Sequence, residues 1–262
     1  MRVGIYKPDI SHKDDRGNFI LIYGDSGVGK SATTIQTAQD PIYWIVAERG
    51  QIDLTVKAIN RPDIKLKIGY YEGWDDLLET IYDVKNFEKI KTVLFDGLTH
   101  VMNVHLADEI LSENYESRDK KNDKSEKDMT TRVKGTPEMY GVLSKQMIRL
   151  MKGFEQLTIA GIDVICTARS QDSPKWNRDL SCAPALAGKE FPRDMKGFFD
   201  MIGLVERNII DGQVEYPPLV SFEDDGSFLS KFTGIRPEGG VRRKLFNIKK
   251  ILDYAHGRSG EK

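Results

Sequence analysis

The feature that most constrains this chain is the octapeptide GDSGVGKS at residues 24–31, placed between an apolar run, FILIY at 19–23, and a stretch of helical character that begins near Lys30. It matches the pattern G-x-x-x-x-G-K-[ST]. Its glycines let the backbone curl so that successive N–H groups and a helix N-terminus point at a chain of phosphates. In that arrangement Lys30 meets the β- and γ-phosphates and the Ser31 hydroxyl ligates Mg²⁺. From average residue frequencies, a chance match in a chain of this length arises about one time in a hundred. The strand before it and the helix after it make accident rarer still. Gly24, Asp25, Ser26, Gly27, Val28, Gly29, Lys30, Ser31 and Ala32 are therefore the candidate nucleotide-binding residues.

Strand-like apolar runs recur at 19–23, 42–47, 92–96, 162–168 and 201–206, with helical patterns at 30–39, 74–84, 98–111 and 138–160 between most of them. Such alternation predicts an α/β fold, a mostly parallel sheet with helices on its faces. In the last helix Met147, Leu150, Met151 and Phe154 recur at helical spacing and are expected in the core. A length of 262 residues suits one large domain. Two stretches break the pattern. Residues 112–136 are of mixed charge, and 170–196 hold Pro174, Pro184, Pro192 and Gly188. Both are expected to be long mobile loops of the kind that carry function. The expected division is an N-terminal extension at 1–18, a core at 19–230 and a basic C-terminal segment at 231–262. In that segment seven lysines and arginines between 231 and 250 face Glu238 alone, a balance suited to nucleic acid.

Several classes are excluded. The longest apolar runs are too short to cross a bilayer, and residues 1–16 lack an apolar signal core, so a cytoplasmic protein with no membrane partner is expected. Cys166 and Cys182 lack C-x-x-C spacing, and the four histidines form no ligand cluster in sequence, so no structural zinc is expected.

A triphosphate site needs a carboxylate for its magnesium, and the apolar run KTVLFD at 91–96 ends in one, Asp96. Ser31 and Asp96 are thus the candidate metal ligands. The residue after Asp96 is Gly97, so a carboxylate that activates water must come from elsewhere. Glu48, at the end of IYWIVA, stands at a strand terminus that would face the γ-phosphate; the alternative is a surface ion pair with Arg49.

The order of GDSGVGKS, IYWIVAERGQIDL, TVLFDGLTH and DVICTARSQ resembles the RecA-type core of recombination ATPases. More narrowly, it is similar to the phage-encoded RecA-like P-loop ATP-binding proteins of the single-strand annealing group, which share the pattern seen here as PALAGKEFPRDMKGFFDMIGLVER. The resemblance covers residues 19–207 and implies a RecA-like P-loop NTPase fold, with Lys30, Glu48, Asp96 and Arg169 as catalytic residues. Glu48 would then activate water, and residues 167–169 would sense the γ-phosphate. It further implies ATP and Mg²⁺ as cofactors, single-stranded DNA as partner, a possible annealing or single-strand-binding protein beside it, and a homo-oligomer. The loop after 169 would touch DNA, with Lys175, Trp176, Arg178 and Lys189 as contacts. Trp176 either stacks a base between cations or packs the loop onto the domain. Arg236, Arg242 or Arg243 would complete a neighbour's site; the alternatives for each are a DNA contact or a solvated basic residue. Ring, filament and monomer stay open.

Two rivals remain. A small-molecule P-loop kinase would need an arginine-rich lid, and residues 112–136 hold too many acids for one. A nucleotide-gated switch or loader would bind ATP with little turnover. No Asn-Lys-x-Asp run follows Asp96, so ATP is expected rather than GTP.

Overall fold

Every residue of β1 (Phe19–Gly24) is buried, and its two faces feed two different cores. Phe19, Leu21 and Tyr23 join one apolar cluster, Ile20 and Ile22 the other. A strand buried on both sides must be covered on both sides, which is the physical origin of the layered architecture here. The computed structural model describes residues 16–48, 50, 52–59, 61–110, 137–223 and 226–258. The expected loop at 112–136 and most of the N-terminal extension lie outside these.

The remaining elements are α1 (Lys30–Thr37), β2 (Ile42–Val46), α2 (Ile52–Ala58), β3 (Leu66–Tyr70), α3 (Trp74–Tyr82), β4 (Thr92–Asp96), α4 (Leu98–His100, continuing as a π-helical turn, Val101–Leu106), α5 (Pro137–Ile159), β5 (Asp163–Asp172), β6 (Cys182–Pro184), α6 (Glu190–Asp194), β7 (Met201–Ile210), β8 (Gln213–Ser221), β9 (Lys231–Phe232), β10 (Lys244–Leu245) and α7 (Ile248–Ala255). The sheet runs β10-β8-β7-β1-β5-β4-β2-β3. From β7 to β3 the neighbours are parallel; β8 and β10 extend one edge antiparallel.

One face is covered by α3, α4 and α5. Met147, Leu150, Met151 and Phe154 of α5 are fully buried there, as their spacing requires. The Phe154 ring meets Phe19 at 6.0 Å and Phe95 at 5.1 Å between centroids. The other face is covered by α1 and α7, with Ile35, Ile248 and Ile251 against Ile20, Ile22 and Leu94.

Two stretches are more built than their sequences suggest. Within 170–196, β5 continues to Asp172 and turns back antiparallel through β6, and α6 follows. Cross-strand pairing outweighs the local effect of its prolines. The basic C-terminal segment is woven into the domain as far as 258. Strand β9 pairs with β7, β10 pairs with β8, and the Ile248 N–H at the start of α7 donates to Thr37 Oγ1 of α1 at 3.0 Å. Lys231 serves the fold directly, donating to the carbonyls of Lys196 and Phe199.

Candidate nucleotide-binding site

Parallel register delivers the expected site residues to one end of the sheet. Gly24 stands opposite Arg169 of β5 and Val205 of β7, while Asp96 stands opposite Val46 of β2 and Thr167 of β5. The carboxyl ends of β1, β2, β4 and β5 thus enclose a crevice of about 450 Å³. Ser26, Gly27, Gly29, Lys30, Ser31 and Ala32 line one wall, with Glu48, Asp96, Thr167 and Arg169 across from them. Such a crevice outside the carboxyl ends of parallel strands is where α/β sheets hold ligands.

The loop is shaped by glycine at two positions in particular. A Cβ on Gly24 would lie 2.3 Å from the Val205 carbonyl oxygen, a separation that no side chain tolerates, so β1 and β7 can close only on glycine here. Gly29, at φ 96°, lies in the left-handed region immediately before α1. The free N–H groups of the first turn of α1 are thereby aimed into the crevice, where they and the helix dipole favour an anion.

Lys30 folds back over the loop, donating to the carbonyls of Gly24 at 2.8 Å and Asp25 at 2.7 Å. Burial pulls its pKa down to about 8, with Arg169 acting in the same direction and Asp96 and Asp25 opposing. Asp96 is held at both oxygens. Thr167 Oγ1 donates to Oδ1 at 2.5 Å and Trp44 Nε1 donates to Oδ2 at 3.1 Å. A carboxylate has about four lone-pair directions, so two stay available while its orientation is set. With the Ser31 hydroxyl, Asp96 offers oxygen ligands only, which suits Mg²⁺. Among the described residues no group of three His, Cys, Asp or Glu forms a metal cage, so a cation here would rest chiefly on phosphate and water oxygens.

Glu48 and Arg169 meet across the crevice mouth, the Arg169 Nη2 donating to Glu48 Oε1. The carboxylate expected to activate water is therefore ion-paired with the guanidinium expected to sense the γ-phosphate; Arg49, the other partner the sequence offers it, lies outside the described residues. Of the sensor residues, Thr167 serves Asp96 and also accepts from the Gly97 N–H, while the Arg169 N–H donates to Thr99 Oγ1. The backbone that bears Glu48 is braced from below. The Ala47 carbonyl lies 3.1 Å from His105 Nε2, whose ring stacks on Tyr71 and meets His100 edge-on. Burial and the neighbouring His105 hold His100 below the ordinary imidazole range.

Trp44, Thr99 and His105 escaped sequence reasoning because nothing in their local pattern separates them from core residues. Only the strand order β2-β4-β5, with α4 following β4, brings them to Asp96, Arg169 and the backbone before Glu48. The expected DNA contacts sit on the arm that follows β5. Ser170 at its base donates to Asp25 Oδ1, tying the arm to the phosphate loop. Lys175, Arg178 and Lys189 are exposed. Trp176 is half-buried against the main core, with its indole nitrogen enclosed, and these surroundings favour packing over base stacking. Arg242 and Arg243 line a separate cavity of about 610 Å³ on the other flank of the loop, beside Asp25 and Val28. Arg236 pairs with Glu223 and Arg243 with Glu206. No helix among the described residues is long and apolar enough to cross a membrane.

The family model AAA_24, an AAA domain, matches residues 16–233. No curated protein matches the chain. Among solved structures, the flagellar accessory protein FlaH from Methanocaldococcus jannaschii is similar at 11% identity and a TM-score of 0.44, over 79% of this chain and 77% of that one.

Proposed function

The chain belongs to this AAA domain family, and from that premise we propose that it binds ATP with Mg²⁺ in the crevice and hydrolyses it in a cycle coupled to single-stranded DNA, in recombination, annealing or replication. The observation that carries the ATP reading is the convergence of Lys30, Ser31, Asp96, Glu48 and Arg169 from four strand ends on one crevice. Lys30 and the N–H groups of the phosphate loop bind and orient the phosphates. Mg²⁺ held by Ser31 and Asp96 would neutralise charge on the phosphates. Glu48 orients the attacking water and accepts its proton at Oε1, once Arg169 turns from it toward the phosphate chain. The DNA reading rests on the resemblance to recombination ATPases and on the exposed Lys175, Arg178 and Lys189 on an arm tied to the phosphate loop. An annealing or single-strand-binding protein as partner, and assembly of several copies, belong to the same reading.

One observation favours a second reading, a nucleotide-gated switch with little turnover: Glu48 is engaged by Arg169. The test is the rate of ATP hydrolysis with Mg²⁺ at fixed low salt, with and without single-stranded DNA, with Lys30→Ala as the blank. Stimulation by DNA that the variant lacks is the expected result. Tight ATP binding with negligible turnover, DNA present or not, would leave the switch in its place.

A further inference from the structure

At the opposite end of the sheet from the phosphate loop, the amino ends of β1, β4 and β5 and the turns after α1 and α2 form the floor of a groove of about 1020 Å³, more than twice the size of the nucleotide crevice. Helix α7 forms its wall. Six lysines and arginines line it against three aspartates, in a chain whose net charge is −1. The three acids are each engaged within the protein. Asp40 accepts from Arg61 at 3.1 Å, Asp253 from Lys249 at 3.2 Å, and Asp163 from both nitrogens of Asn18 at 2.8 and 2.9 Å. Arg16 reaches Asp200 only at 4.0 Å. Lys91, Lys250 and Arg258 have no side-chain ion pair among the described residues, and His256 stands among them.

A surplus of like charges gathered from separate elements costs stability through mutual repulsion, and among the described residues no acid pairs with Lys91, Lys250 or Arg258. The other polar side chains of the lining are mostly amide and hydroxyl, from Asn18, Gln36, Thr37, Gln39 and Asn247. Among the described residues it contains no Phe, Tyr or Trp, and Ala38 and Leu252 are its apolar side chains. A docked acidic protein segment draws its affinity from buried aromatic and apolar anchors, which this groove cannot seat. A phosphodiester chain needs only cations and hydrogen-bond donors. We infer that this groove holds the sugar-phosphate backbone of single-stranded DNA, without reading its bases. The inference rests on the DNA reading above and moves the main phosphate contacts from the arm to the far end of the sheet. Strand β1 spans the distance, its six residues separating groove and phosphate loop by about 20 Å. Helix α1 starts in the phosphate loop and ends in the groove, so both ligands can be bound at once.

The experiment measures binding of labelled oligothymidylate by fluorescence anisotropy between about 50 and 200 mM salt. It compares the full chain with the triple variant Lys91→Glu/Lys250→Glu/Arg258→Glu, with its neutral counterpart carrying glutamine at the three positions, and with Lys175→Glu/Arg178→Glu/Lys189→Glu. The groove variants are expected to lose about tenfold or more in affinity at low salt and to show a salt slope shallower by about 2, as three lost phosphate contacts require. Their ATP affinity should be unchanged, which certifies the fold. If the full chain binds oligothymidylate and the groove variants bind it equally well while the arm variant does not, the DNA reading stands and the groove inference falls. If the full chain fails to bind at low salt, both fall. Oligoglutamate binding that needs the same three cations, with DNA binding that ignores them, would assign the groove to an acidic protein segment and overturn the inference.

Discussion

At Lys30 two demands conflict. A phosphate site needs an ammonium group, yet the enclosure that strengthens its pull on phosphate also makes the charge costly. The outcome is a pKa near 8, with the ammonium held by two loop carbonyls. Bound phosphates would favour the charged form and raise that pKa again, so binding above pH 8 must take up a proton. The sign follows: the charged lysine binds, and the fraction charged in the free protein falls as pH rises through 8. ATP affinity is expected to be nearly level below about pH 7.5 and then to weaken by up to tenfold per unit above pH 8. Titration calorimetry in buffers of different ionisation enthalpy checks this, because proton uptake appears as a buffer-dependent heat. In Lys30→Ala the affinity should be weak and level across the same range. A level profile in the unsubstituted protein would show that Lys30 stays charged throughout.

At the level of elements, the site is a product of strand order. Glu48 follows β2 and Arg169 lies within β5, and the two meet only because β4 alone separates those strands. Each residue is legible in the sequence as the polar end of an apolar run, but their pairing is not, since 121 positions divide them. The pairing of Trp44 and Thr167 with Asp96 is likewise set by strand order. The strand and helix that flank the phosphate loop, by contrast, are legible in the sequence, because strand, turn and helix lie in one contiguous segment. Elements were missed where the apolar signal is weak. Strand β3, at the sheet edge, mixes half-buried and exposed residues and has no fully buried one, and β8 carries Pro217 and Pro218. The Glu48–Arg169 pair is partly solvated, so it contributes at most about 1 kcal/mol to stability. Glu48→Gln is therefore expected to fold, to keep ATP affinity within a fewfold and to lose turnover by about 10² or more, as removal of a general base does. Single-turnover kinetics beside a melting curve decides the matter. Unchanged turnover would reduce Glu48 to a structural partner of Arg169.

Over the whole molecule, the two apolar layers are not equivalent supports for the site. The layer under α3, α4 and α5 holds Phe19 of β1, which leads into the phosphate loop, and Phe95 of β4, the residue before Asp96. Phe154 of α5 touches both rings and is itself fully buried. The helical stripe containing it was plain in the sequence; its position under the two strands that lead to the phosphate loop and to Asp96 was not, because that depends on which face α5 covers. Removing the ring would leave a cavity that close-packed neighbours fill only in part. Phe154→Ala is expected to cost about 3–5 kcal/mol, lowering the melting temperature by about 6–20 °C in a domain of this size. Saturating ATP should recover part of the loss, about 2.7 kcal/mol at a hundredfold excess over Kd, because only the folded state binds. Denaturant titration with and without nucleotide separates the two terms. If the variant loses stability but keeps its ATP-dependent gain, the sheet ends keep their geometry when the layer beneath them loosens. If that gain shrinks as well, Phe19 and Phe95 transmit the packing of α5 to the loop and to Asp96.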